Sequence, residues 1–336
     1  MLARLDPVPL GRPSFLGAPR CTTLDLLDAD LAAVGIPYTT PHDLAQSKMP
    51  SSDAPRALRE QSERLADRLH HYDFDFGGDL LAGRRLRIVD CGDVAGTPGQ
   101  YEENNRVATA TVRAVLDGRA LPIVLGGDHA AIIPALRAYA GSQRICVVHL
   151  GADLAWRDDV NGVRDGLHSA MRRVSEMPWV ASMIQVGLRG SGSARQQEVD
   201  AAAAFGSIRV RAEELHRVGA DDVLRRVPDA PGYYVSLDAS ALDPAIAPAV
   251  DVPAFGGLDY FEVTNLLKGI AARGGVVGFA LVGIVPANDL REITSLLGVR
   301  LILNLVGALA HAERIGTPGV HAAPRADARA LEPVKS

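Results

Sequence analysis

The chain has 336 residues, 47% of them hydrophobic and 22% charged, enough to close a large core. A net charge of −5 leaves no broad cationic face for a nucleic acid or an anionic membrane. No run reaches the roughly 18 apolar residues that span a bilayer, and the N-terminus has no continuous apolar signal segment, so a cytoplasmic protein with a small-molecule partner is expected.

In chain order, the first feature is a polar stretch over 39–53 with Pro41, Pro50, Ser51 and Ser52, which reads as a long loop. Short apolar runs then follow at 86–90, 121–125, 145–149, 183–187, 233–237 and 276–282. Helical patterns occupy 105–117, 130–140, 212–226, 260–272 and 292–310. Runs that are apolar throughout and joined by helices read as strands covered on both faces. The expected architecture is therefore one α/β domain over 1–316, a doubly wound and mainly parallel sheet with helices on both faces. Residues 317–336, rich in Pro, Ala and Arg, read as a flexible tail. The cysteines Cys21, Cys91 and Cys146 are scattered, without metal-type spacing, and argue against a disulfide framework.

In a sheet of this kind ligands gather outside the carboxyl ends of the strands. Three runs end in residues that carry chemistry: Gly126-Gly-Asp-His129, His149-Leu-Gly-Ala-Asp153 and Asp238. Two glycines allow the sharp turn that brings Asp128 and His129 to a strand tip. Histidines and aspartates converging from separate strands suit either a metal site or an acid/base set. The same residue types also serve as helix caps and loop anchors, so the pattern by itself leaves both readings open.

Together, Leu125-Gly-Gly-Asp-His129, His149-Leu-Gly-Ala-Asp153 and Ser236-Leu-Asp-Ala-Ser-Ala-Leu-Asp-Pro244 resemble, in order and spacing, the three motifs of the ureohydrolase superfamily of arginases and agmatinases. Asp90-Cys-Gly-Asp93 and Gln185-Val-Gly-Leu-Arg-Gly190 extend the resemblance, which covers about 15–312 and is closer to agmatinases. It implies a three-layer arginase-like fold, a pair of manganese ions and a homo-oligomer, trimeric or hexameric. The positions that the family uses as metal ligands read here His129, Gly151, Asp153, Ala155, Asp238 and Ser240. Of these only His129 and Asp238 match. Gly151 and Ala155 cannot coordinate, and the hydroxyl of Ser240 is a poor ligand for a manganese-type ion. Gly283 stands where agmatinases place the glutamate that grips the guanidinium.

Four positive charges need more carboxylate than Asp153 and Asp238 supply, so a dinuclear cluster is not expected and no cofactor is assigned. If a single divalent ion binds, the expected ligands are His129, Asp153 and Asp238. His129, Asp153, Asp238 and His168, the last where the family places a proton-shuttling histidine, are the candidate catalytic residues. His149, Trp156, Ser240 and Gly283 are the candidate substrate contacts. The favoured reading is a repurposed, metal-independent acid/base enzyme acting on a nitrogen-containing small molecule, with a specialised biosynthetic route as its expected setting. The alternatives are a catalytically inactive regulatory or structural subunit, and an amidine or guanidine hydrolase with one residual metal.

Overall fold

The computed structural model describes residues 3–6, 11–41 and 50–318. Eight parallel strands form the central sheet: β1 Leu31–Ile36, β2 Ile88–Asp93, β3 Leu121–Gly126, β4 Ile145–Leu150, β5 Val180–Leu188, β6 Ile208–Arg211, β7 Gly232–Asp238 and β8 Val276–Val282. Their spatial order is β2-β1-β3-β8-β7-β4-β5-β6. All pairings within the sheet are parallel.

Successive side chains of a strand point to opposite faces, and both faces of this sheet are covered. Leu31 and Ala33 of β1 enter one core, and Ala32 and Val34 enter the other. The first core includes side chains of α1 Ala54–Ala66, α8 Tyr260–Arg273 and α9 Ile293–His311; the second includes those of α2 Tyr101–Asp117, α3 Ile132–Arg137 and α4 Ala170–Ser175. The result is a three-layer α/β/α fold, as the apolar runs imply.

Several elements differ from the sequence reading. The strands β1 and β6 and the helices α1, α4 and α5 Gln196–Phe205 lie outside the predicted set. For β1, Leu31-Ala-Ala-Val-Gly-Ile36 is short, contains small residues and is buried throughout, so no alternation marks it. The pattern over 212–226 divides into α6 Ala212–Val218 and α7 Ala220–Arg226, because Gly219 between them has φ 78° and cannot continue a helix. Of the polar loop, Pro50–Asp53 forms a 3-10 turn leading into α1, while 42–49 lie outside the described residues. Thr317–Pro318 pairs antiparallel with Arg84–Arg85; the remainder of the expected tail also lies outside them.

The helical segment Leu290–His311 contains an 18-residue window of mean hydropathy 1.9, long and apolar enough to cross a bilayer although polar residues interrupt it. Its apolar surface instead packs inside the fold, where 78% of that window is buried. Asp289 holds the start of α9 by accepting the amides of Thr294 at 2.9 Å and Ser295 at 2.8 Å.

The early Asp90-Cys-Gly-Asp93 segment is a structural clamp. Arg59 on α1 donates to both oxygens of the fully buried Asp90, at 2.8 and 3.0 Å, and to Asp93 at 2.5 Å. This fork fastens α1 to the edge strand β2. The three cysteines are free thiols.

Candidate active site

The order of the sheet brings β3, β8, β7 and β4 side by side at its centre. A chain that winds outward in both directions leaves a crevice beyond these carboxyl ends, and a cleft of about 580 Å³ opens there. Each central strand contributes a residue at or just past its end.

Beyond β3, Asp128 caps a 3-10 turn, its Oδ1 accepting the Ala130 amide at 2.8 Å, and His129 begins that turn. β7 uses the same device, with Asp238 Oδ1 accepting the Ser240 amide at 2.8 Å. In both places a short carboxylate satisfies backbone donors that the turn exposes while remaining on the cleft wall.

Asp153, beyond β4, is held from two sides. Its Oδ2 accepts from His168 Nδ1 at 2.9 Å and from the Ser193 hydroxyl at 2.7 Å, and its Oδ1 accepts the Ser193 amide at 3.2 Å. An ionised carboxylate only accepts, so His168 Nδ1 carries the hydrogen. Burial works against the charge on Asp153, but the bonds from His168 and Ser193 outweigh it and hold the carboxyl down to about 2. His168 and Asp153 therefore form an oriented hydrogen-bonded pair facing the cleft.

The inner residues behave differently. Burial pushes Asp128 up to about 6 and raises Asp238 as well. It lowers His129 to about 4 and His149 to about 3, so both imidazoles are neutral near pH 7. The two rings stack with centroids 4.5 Å apart and planes 12° apart. His149 Nδ1 lies 3.3 Å from the Ser236 hydroxyl, whereas His129 Nε2 is buried without a hydrogen-bond partner.

His129, Asp153, His168, Asp238, Ser240 and Gly283 all line the one cleft. Two expected contacts do not. His149 is 1% exposed and packs behind His129, with which its ring stacks. Trp156 is 2% exposed and packs into the core beside Phe205, at 5.8 Å between ring centroids; the backbone at Ala155, with φ 49°, turns there and the indole leaves the mouth for the interior. The expected mononuclear set of His129, Asp153 and Asp238 lines the cleft together, although no group of three or more His, Cys, Asp or Glu among the described residues is gathered closely enough to form a metal site as it stands.

Other residues of the cleft escaped the sequence reading. Ser193 belongs to Gly190-Ser-Gly-Ser193, a glycine-rich turn beyond β5, and the strand-end rule would have found it had that run been followed past its end. Arg189, already part of the Gln185–Gly190 motif, sits in the same turn but is engaged by backbone: it donates to the carbonyls of Gly187, Ser240, Ala241, Leu242 and Ala254 at 2.8 to 3.2 Å. It staples the loop after β7 to the end of β5. Val252 and Phe255 supply an apolar rim that no motif announced.

Two glycines beyond the ends of the central strands, Gly151 and the cleft-lining Gly283, are sites of close approach. A Cβ at Gly151 would lie 2.3 Å from His149 Nε2. A Cβ at Gly283 would lie 2.6 Å from Asp238 Oδ1, and its φ of 82° disfavours any side chain. The room that side chains at 151 and 283 would need is filled by His149 and Asp238.

A parallel sheet in the order 2-1-3-8-7-4-5-6, with carboxylates and imidazoles gathered over its four central strands, defines an arginase-like α/β protein. The sequence profile of the Arginase family matches residues 29–307, and the chain belongs to that family. It is 29% identical to an agmatinase of Pyrococcus horikoshii over 288 residues, which is 85% of this chain and 94% of the relative. It is 29% identical to a guanidinopropionase of Pseudomonas aeruginosa over 310 residues, 89% of this chain and 92% of the relative. Among solved structures, proclavaminate amidino hydrolase from Streptomyces clavuligerus superposes with a TM-score of 0.77 at 28% identity, covering 89% of this chain and 97% of the other.

Proposed function

We propose that this chain is an arginase-family protein whose cleft has lost the dinuclear metal site and works by metal-independent acid/base chemistry on a nitrogen-containing small molecule. The observation that carries the reading is the filled space at positions 151 and 283. Where the family resemblance implies a carboxylate ligand and a guanidinium-gripping glutamate, this chain has glycines, and the neighbouring His149 and Asp238 have taken their room. The remaining donors do not fit a pair of divalent ions. Asp153 is occupied by His168 and Ser193, Ser240 offers a neutral hydroxyl, and the two imidazoles face each other as a stack. Too little anionic oxygen is left to neutralise four positive charges.

What these groups offer is proton chemistry on a cation. The inner carboxylates of Asp128 and Asp238 attract a protonated amine or amidine entering the cleft. Asp153 orients the His168 ring through Nδ1, as a base needs to be oriented if its protons are to move in one direction. The Ser193 hydroxyl and amide keep Asp153 charged and fixed. Such a set suits elimination, isomerisation or cyclisation beside a nitrogen centre, steps that require a proton to be moved rather than a water to be ionised.

Elemental analysis after dialysis against Mn²⁺ tests the metal side, and alanine variants of His129, His168 and Asp238 test the organic side. The expected result is well under one metal per chain, with ligand binding lost in the Asp238 and His168 variants. Two manganese ions per chain accompanied by guanidine cleavage would overturn the proposal.

A further inference from the structure

We infer that the cleft takes an organic cation that carries an apolar body and no carboxylate. This rests on the small-molecule reading above and adds to it the class of substrate.

The first argument is charge. Asp128, Asp153, Asp238 and Asp251 line the cleft, while its basic residues among those described are Arg189, His168 and His129, the last kept neutral near pH 7 by burial. The donors of Arg189 run to the carbonyls of Gly187, Ser240, Ala241, Leu242 and Ala254. His168 Nδ1 is committed to Asp153. A carboxylate on the ligand would meet acidic side chains and would have to break the Arg189 staple to gain a partner. A cation meets the opposite field.

The second argument is the rim. Phe255 is 87% exposed and Val252 is 72% exposed, and both border the cleft. Single exposed apolar residues are ordinary, but these two stand three positions apart on one short segment. The apolar wall continues inward through Leu167, Val250 and Val285 toward the carboxylate floor. A ligand with its cationic group at that floor would lay its body along this wall and cover the rim. A concave apolar surface with a few convergent polar groups at one end is the usual form of a small-molecule site.

Calorimetric titration of the full chain with 4-phenylbutylamine, butylamine, 4-aminobutyrate and 4-phenylbutan-1-ol tests the inference. The expected order places 4-phenylbutylamine on the order of 10-fold above butylamine, from burial of the ring. The neutral alcohol and the aminobutyrate should bind more weakly than butylamine. The double variant Phe255→Ser, Val252→Ser should bring 4-phenylbutylamine down to the level of butylamine and leave butylamine unchanged. Aminobutyrate binding as tightly as butylamine overturns the inference, as does a ring preference that survives the double variant. A change in oligomeric mass of that variant by light scattering, with the ring preference intact, would mean that a second copy covers the rim, and it overturns the inference too. Cation binding that depends on Asp238 yet ignores the tail sinks this inference alone. No cation binding, together with an Asp238→Asn variant indistinguishable from the parent, sinks the acid/base reading with it.

Discussion

Asp128→Asn should stabilise the protein at neutral pH, although it removes a charge from the heart of the candidate site. Asp128 is 6% exposed, and burial raises its carboxyl from 3.8 to about 6 in the folded chain. A group whose folded value is raised adds stability below its unfolded value, and loses that stability as pH rises through the folded value. The window runs from about pH 4 to pH 6. The gap of roughly 2 pH units, at about 1.36 kcal/mol each, is a cost on the order of 3 kcal/mol above pH 6. Asparagine keeps the oxygen that accepts the Ala130 amide at 2.8 Å and has nothing to ionise. Chemical denaturation of parent and variant at pH 4, 5, 6, 7 and 8 measures the difference. The two should be nearly equal at pH 4, with the variant ahead by about 2–3 kcal/mol at pH 8. A variant less stable at pH 8, or a difference independent of pH, would refute the reasoning and point to a cation that neutralises Asp128 in the native state.

Asp153→Asn should act in the opposite sense. The folded carboxyl is held down to about 2, so its stabilisation is present above pH 4 and lost as pH falls through 2. Because His168 is partly exposed, we expect only about 1 kcal/mol at pH 7, narrowing below pH 4 in denaturation curves; the same variant should lose affinity for organic cations. Arg59→Ala should cost about 3–5 kcal/mol, since it strands the buried Asp90 without its counter-charge, and thermal unfolding will show it. Trp156→Ala should cost about 3–5 kcal/mol through the cavity it leaves, while ligand affinity of the folded fraction stays unchanged. A loss of affinity there without a loss of stability would return the indole to the mouth of the cleft. Gly283→Ala should destabilise by about 1–3 kcal/mol, from its φ of 82° and the approach of Asp238, and its binding isotherms should weaken as that carboxylate is displaced.

The order of the chain was enough to establish the layered α/β plan, because a strand covered on both faces writes an unbroken apolar run and a helix between two such runs writes its own period. It was also enough to place His129, Asp153 and Asp238 at strand ends, where a parallel sheet gathers its ligands. It concealed β1, whose small buried residues carry no alternation, and the break at Gly219, which one backbone dihedral decides. Only the packed structure separated residues that share a motif. His149 and Asp153 lie four positions apart, yet one is stacked beneath His129 and the other faces the cleft in the grip of His168 and Ser193. Trp156 was equally ambiguous until the turn at Ala155 sent it inward. Side-chain direction at a strand end depends on the next few backbone dihedrals and on which neighbour has already claimed the space, and neither quantity is local in sequence.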